Sequence, residues 1–250
     1  MLRALLALCL LLCSCLMAEV LELSPSANAL AGISLLSDSV ADTYLSPAQR
    51  VNGCSCYYMR PFGMGDIPFY GIATGFARDW LYLAAGSAYL NHPDYQWHNP
   101  YLNLCIEYAS LAVGAGVHLD YSQVESAEAL FYYSLAYAAR YRYRASSLEL
   151  RAYKPNLPDG EYSLSLAQDV LESGSLGLAL VKEKSGELCY KTAVNAQLNN
   201  YLKLYGSWQN NPARFGAGIN CNYAKWSLIY SLRSHPRLSM SQAFALEYSW

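Results

Sequence analysis

From about Val51 to Trp250, aromatic or aliphatic side chains alternate with small or polar ones at nearly every second position. A period of two sends successive side chains to opposite faces of an extended backbone, so this pattern specifies strands and disfavours amphipathic helices. In the segment 102–112, Leu102, Leu104, Ile106 and Tyr108 share one face, with Asn103, Cys105, Glu107 and Ala109 on the other. Between Leu130 and Arg144, Phe131, Tyr133, Leu135, Tyr137, Tyr141 and Tyr143 oppose Ser134, Ala136, Ala138, Arg140, Arg142 and Arg144. The last segment sets Met240, Phe244, Leu246, Tyr248 and Trp250 against Ser241, Ala243, Ala245, Glu247 and Ser249.

The same reading predicts strands over 53–62, 67–77, 80–90, 102–112, 113–121, 130–144, 148–154, 162–171, 176–182, 188–198, 201–208, 215–223, 226–232 and 240–250. Turn formers punctuate them, as in Asn91-His92-Pro93-Asp94, Ser185-Gly186 and Ser234-His235-Pro236. Gly63-Met64-Gly65 and Gly114-Ala115-Gly116 read as strand ends or bends. Residues 51–250 shared among 14 strands give about 14 residues each; a membrane-spanning strand takes about 9–11, which leaves hairpin turns but no long loops. Twelve strands with looser loops fit the same length. Neither a second domain nor a linker stands out.

Composition decides what surrounds these strands. Only 14% of residues are charged, against roughly a quarter in an average soluble domain, and 23 are tyrosine. A soluble β-sandwich would carry Lys and Glu on its outward face, whereas here the second face is mainly Ser, Ala, Gly and Asn. A transmembrane barrel matches better, with its apolar face in lipid, aromatic rings at the interfaces and a small, polar interior. Closure also removes the unpaired edges that hydrocarbon does not tolerate. The fold expected is therefore all-β: a closed antiparallel transmembrane β-barrel of about 14 strands, a secreted soluble β protein being the alternative.

The start, Met1-Leu2-Arg3 followed by an apolar run to Met17 and then Ala18, reads as a cleavable signal over 1–18. The competing reading is a lipoprotein acylated at Cys15, because Leu12-Cys13-Ser14-Cys15 resembles a lipobox. Residues 19–50 do not alternate and are expected to form a separate N-terminal segment ahead of a barrel over 51–250. The five cysteines beyond the signal, Cys54, Cys56, Cys105, Cys189 and Cys221, cannot form a complete disulfide set.

With a net charge of -2 there is no basic field for nucleic acid. His92, His98, His118 and His235 lack metal-site spacing, and no nucleophile elbow, phosphate loop or dinucleotide fingerprint occurs. No cofactor, metal or catalytic role is expected. The row Arg140, Arg142, Arg144 cannot face lipid and is expected to face the lumen or its rim, with Glu107 as a lumenal partner. It reads either as a filter for anionic solutes or as interior ion pairing. Asp38 is expected to cap a short helix running to Asp42, with Pro47 stopping it.

The stretch from Ser24 to Ala48 resembles the opening of PorV/PorQ-like proteins and their FadL-type relatives. Ala29 to Leu35 matches the small-residue part, Asp38 to Asp42 the acidic short helix, and Ser46-Pro47-Ala48 the Asn-Pro-Ala turn, with Ser in place of Asn. The resemblance implies a 14-stranded outer-membrane barrel with the N-terminal segment tucked into the lumen as a plug, and an association with secretion machinery. A channel or secretion-associated component follows as the expected function, with a filled, non-conducting barrel as the alternative. The partners expected are outer-membrane lipid, the barrel-assembly machinery reading the terminal Trp250, and secretion-system proteins or a small hydrophobic or anionic solute.

Overall fold

The computed structural model describes residues 24–124, 128–183, 186 and 188–250. The expected signal over 1–18 and the alternative acylation at Cys15 lie outside the described residues. Fourteen antiparallel strands close into one barrel, each paired with its neighbours in sequence and the first with the last. They are β1 (Gly53–Arg60), β2 (Phe69–Arg78), β3 (Leu81–His92), β4 (Tyr95–Tyr108), β5 (Leu111–Val124), β6 (Leu130–Tyr143) and β7 (Ser146–Tyr153). The circuit continues through β8 (Glu161–Leu171), β9 (Gly174–Glu183), β10 (Leu188–Asn199), β11 (Leu202–Asn210), β12 (Ala213–Tyr223), β13 (Trp226–Arg233) and β14 (Ser241–Tyr248).

The alternation in the chain sets which side chains leave the wall. On β4, Leu102, Leu104 and Ile106 are exposed while Asn103 and Cys105 are buried; on β6, Tyr133 is exposed and Ser134 fully buried. Around β4 to β6, rings lie towards both rims of the outer face, His98, Tyr121 and Phe131 at one and Tyr108, Tyr141 and Tyr143 at the other. Leucine, isoleucine and valine fill the space between them. The ten-residue step from His98 to Tyr108 covers about 33 Å of strand, or about 25 Å of height at barrel tilt, the height of an apolar membrane band. Tyr230, Phe244, Tyr58, Tyr70, Tyr89, His98, Tyr121 and Phe131 are direct partners on successive strands, with Tyr70 and Tyr89 stacked at 5.3 Å. That row runs perpendicular to tilted strands and so climbs obliquely across the outer face.

The two rims differ. At one, strands are joined by two-residue turns, and Asp79, Ala109, Arg144 and Ala224 open four of them with left-handed backbone. The longer links, 61–68, 154–160 and 234–240, lie at the other rim. The turn at Ala109-Ser110 contains no Gly, Pro, Asn or Asp, which is why the sequence pattern puts a strand boundary three residues late, between Ala112 and Val113. Pro100 is the opposite case, a strand breaker where the strand continues. This proline stays within β4, where the side-chain amide of Asn99 reaches Leu119 O at 3.4 Å beside the proline that lacks an N–H. Ala109, at φ 54°, carries strain that glycine avoids. Ala109→Gly is expected to raise stability by about 0.5–1 kcal/mol, as measured by urea unfolding in lipid vesicles.

Inside, the residues from Ser24 to Arg50 occupy the lumen. They form a short helix, Pro25–Ala29, and two 3-10 turns, Ser34–Leu36 and Val40–Tyr44. Leu30, Ile33, Val40, Ala41 and Leu45 from this segment pack against inward side chains from around the wall, among them Tyr57, Met59, Leu90, Val181 and Ile229. The lumen lining is largely the small and polar one expected, as at Ala84, Ala136, Asn103, Ser134 and Ala243, but large side chains interrupt it. Tyr57, Tyr82, Tyr101, Tyr153 and Tyr205 all point inward and are buried, because a lumen filled by a plug needs a core as dense as any other protein interior.

Candidate functional site

The site is the seam between the N-terminal segment and the wall, together with the recess it leaves at the short-turn rim. The segment is held from several sides. Asn28 Nδ2 donates to Ser231 Oγ on β13 at 3.0 Å, Asn103 Nδ2 on β4 donates to Thr43 O at 2.5 Å, and Asn195 Nδ2 on β10 donates to Leu36 O at 2.9 Å. Thr43 Oγ1 and Tyr101 Oη bond at 2.9 Å. Tyr44 stands edge-on to Tyr101 and His118, with centroids at 5.3 and 4.9 Å, and closes an aromatic cluster with Tyr153. Burial raises the Tyr44 hydroxyl well above its ordinary pKa.

Two wall carboxylates organise the seam. Glu149 on β7, 1% exposed, accepts Ser34 Oγ at 2.6 Å and Ser46 Oγ at 2.8 Å from the plug. Arg140 on β6 bonds the same carboxylate at 2.8 Å and also donates to Gln49 Oε1 of the segment at 2.7 Å. On the opposite wall Glu247 of β14 accepts Ser39 Oγ at 2.5 Å. Behind them, Arg151 joins Glu161 at 2.7 Å and reaches Gly32 O.

Glycines on the inner wall make room for the segment. Gly114 of β5 faces the backbone of Pro47 and Ala48, and Gly216 of β12 faces the carbonyls of Asn28 and Ala29. The sequence pattern reads Gly114-Ala115-Gly116 as a strand end or bend. The structure places it in mid-strand, where a glycine marks the close approach of another backbone.

The arginine row divides. Arg140 points inward to Glu149, and Arg142 lines a recess of about 490 Å³ at the short-turn rim with Arg50, Glu107, Gln49, Asp38 and Ser147. Arg144 falls outside the row, because the strand stops at Tyr143. It opens the turn with φ 53°, exposed and over the ring of Tyr143 at 5.2 Å. Glu107 pairs with Arg50 rather than with the row. Asp38 is not the cap expected of it: Ser39 caps the turn by accepting Ala41 N at 3.2 Å, and Asp38 pairs with Lys203 of β11. The turn ends at Tyr44, ahead of Pro47. Asp42 is 1% exposed and accepts from Ser24 Oγ, and burial pushes its carboxyl above the ordinary value. Ser46 bonds Glu149, Ala48 is buried beside Gly114, and Trp250 lies past β14 at the rim, half exposed near Tyr248. Among the described residues no group of three His, Cys, Asp or Glu side chains is placed to hold a metal.

No family model matches the chain, and no curated protein matches it. Among solved structures, a mutant of the Rh. blastica porin is similar at 8% identity and TM-score 0.48, over 80% of this chain and 99% of that one. The KdgM porin in complex with disordered oligogalacturonate is similar at 7% identity and TM-score 0.48, over 79% of this chain and 99% of that one. Likeness at this level carries no argument about function.

Proposed function

We propose that this chain is an integral outer-membrane β-barrel of a Gram-negative-type bacterium, a channel held shut by its own N-terminal segment. The observation that carries the reading is the placement of Ser24 to Arg50 inside the closed barrel, bonded to β4, β6, β7, β10, β13 and β14. The apolar outer face with rings towards both rims supports a membrane location, since such a surface in water would be a large exposed apolar patch. The lumenal plug also agrees with the PorV/PorQ- and FadL-like opening of the sequence, and a secretion-associated role remains part of the proposal on that ground. Arg142 and Arg140, at and behind the recess, would bias an open lumen towards anions. We read no catalytic role.

Planar-bilayer recording tests the gate. The intact protein is expected to pass little current, and removal of residues 24–50 to produce steady, anion-preferring channels. Equal conductance with and without the segment would overturn the reading. A second reading, a filled structural barrel that never conducts, is favoured by the apolar core between plug and wall. It predicts that the deletion variant fails to assemble, losing its heat-modifiable gel mobility. Recovery of the full-length protein in a soluble periplasmic fraction would refute both.

A further inference from the structure

Among the described residues, two carboxylates at the plug seam have no cation paired with them. Asp42 lies in the turn Val40–Tyr44, fully enclosed, with Ser24 donating to Oδ1 and no partner on Oδ2. Glu247, 5% exposed, enters from β14 and takes its hydrogen bond from Ser39, the cap of that same turn. Among the described residues no ion pair reaches either carboxylate. The contrast is Glu149, which sits on Arg140. The groups facing Asp42 are the hydroxyls of Ser24, Ser26 and Ser37, the phenols of Tyr57, Tyr101 and Tyr205, and Glu247 itself. Those facing Glu247 are Ser39, Ser55, Tyr205 and Asp42. Asp38, nearby, is already paired with Lys203.

Two like charges enclosed together without a cation are strongly disfavoured, and hydroxyls alone do not neutralise them. The pair can be relieved by binding protons or by leaving the seam. We propose that Asp42 and Glu247 form a proton-operated latch: protonated, they keep the N-terminal segment seated, and ionised together they drive it from the β1–β14 side of the lumen. The sign follows from Asp42, whose carboxyl is raised by burial. Its contribution to seating is complete below the ordinary carboxylate value and is lost as pH rises through the raised one.

The latch rests on the reading that the segment closes the barrel, so its test uses a signal independent of current. Hydrogen exchange of residues 24–50 in the full-length protein in lipid vesicles, normalised to exchange of β6 in the same sample, reports seating directly. Between about pH 5 and about pH 9, protection of the segment is expected to fall tenfold or more. In Asp42→Asn, which keeps the side chain's shape, the fall should shrink, and in Asp42→Asn with Glu247→Gln it should vanish. Unchanged wild-type protection across that range, or a fall that survives in the double variant, overturns the latch. Release at high pH without any rise in bilayer conductance supports the latch and refutes the channel.

Discussion

Glu149→Ala is expected to cost about 3 kcal/mol or more, towards the lower end of the range for breaking one side of a buried ion pair. The carboxylate holds two hydroxyls of the plug and the wall cation Arg140 at once. Its loss orphans Ser34 and Ser46 of the segment and leaves Arg140 with only Gln49. The Arg140 side chain is 20% exposed, so water recovers part of the penalty, which places the figure at the lower end. Glu149→Gln removes the charge and keeps one of the two acceptor oxygens, the other becoming an amide donor towards a serine whose hydroxyl can turn to accept, and about half the loss is expected from it. Urea unfolding in lipid vesicles reads both, and a shift under about 1 kcal/mol for the alanine variant would remove Glu149 from the centre of the seam.

The wall was legible because its signal is local. Period two and the turn residues mark out 14 segments, although length alone fits 12 as well, and the largest boundary misses fall at Ala109-Ser110 and Pro100, where backbone geometry and residue type disagree. Two faces can be read from alternation, but not every residue's share in them. Tyr57 and Tyr58 are neighbours, one packed in the core and the other ringed with Tyr70 on the outside, and register alone decides between them. The seam was not legible at all beyond the texture of residues 24–48. Ser34 finds Glu149 across 115 residues and Ser39 finds Glu247 across 208, and no spacing rule reaches so far. One signal for the plug was present and misread: glycine in the middle of a strand pattern points to a backbone lying against the wall.

That signal also supplies the sharpest test of the plug. In Gly114→Val the added Cβ would lie 2.3 Å from Pro47 O and 2.8 Å from Ala48 N. Both are backbone atoms, so no flexible side-chain tip can yield, and the strain should exceed the roughly 1–3 kcal/mol typical of an overpacked core. The ladder bonds of β5 to β4 and β6 do not involve the segment, so the wall has no reason to break. The segment should leave instead. Gly206→Val is the matched control, because on the outward face its Cβ meets only Val194 at an ordinary 3.4 Å. Gly114→Val is expected to keep heat-modifiable mobility while residues 24–50 lose hydrogen-exchange protection about a hundredfold, and Gly206→Val to change neither. A Gly114→Val protein with its segment still protected would mean that Pro47 and Ala48 do not rest on β5.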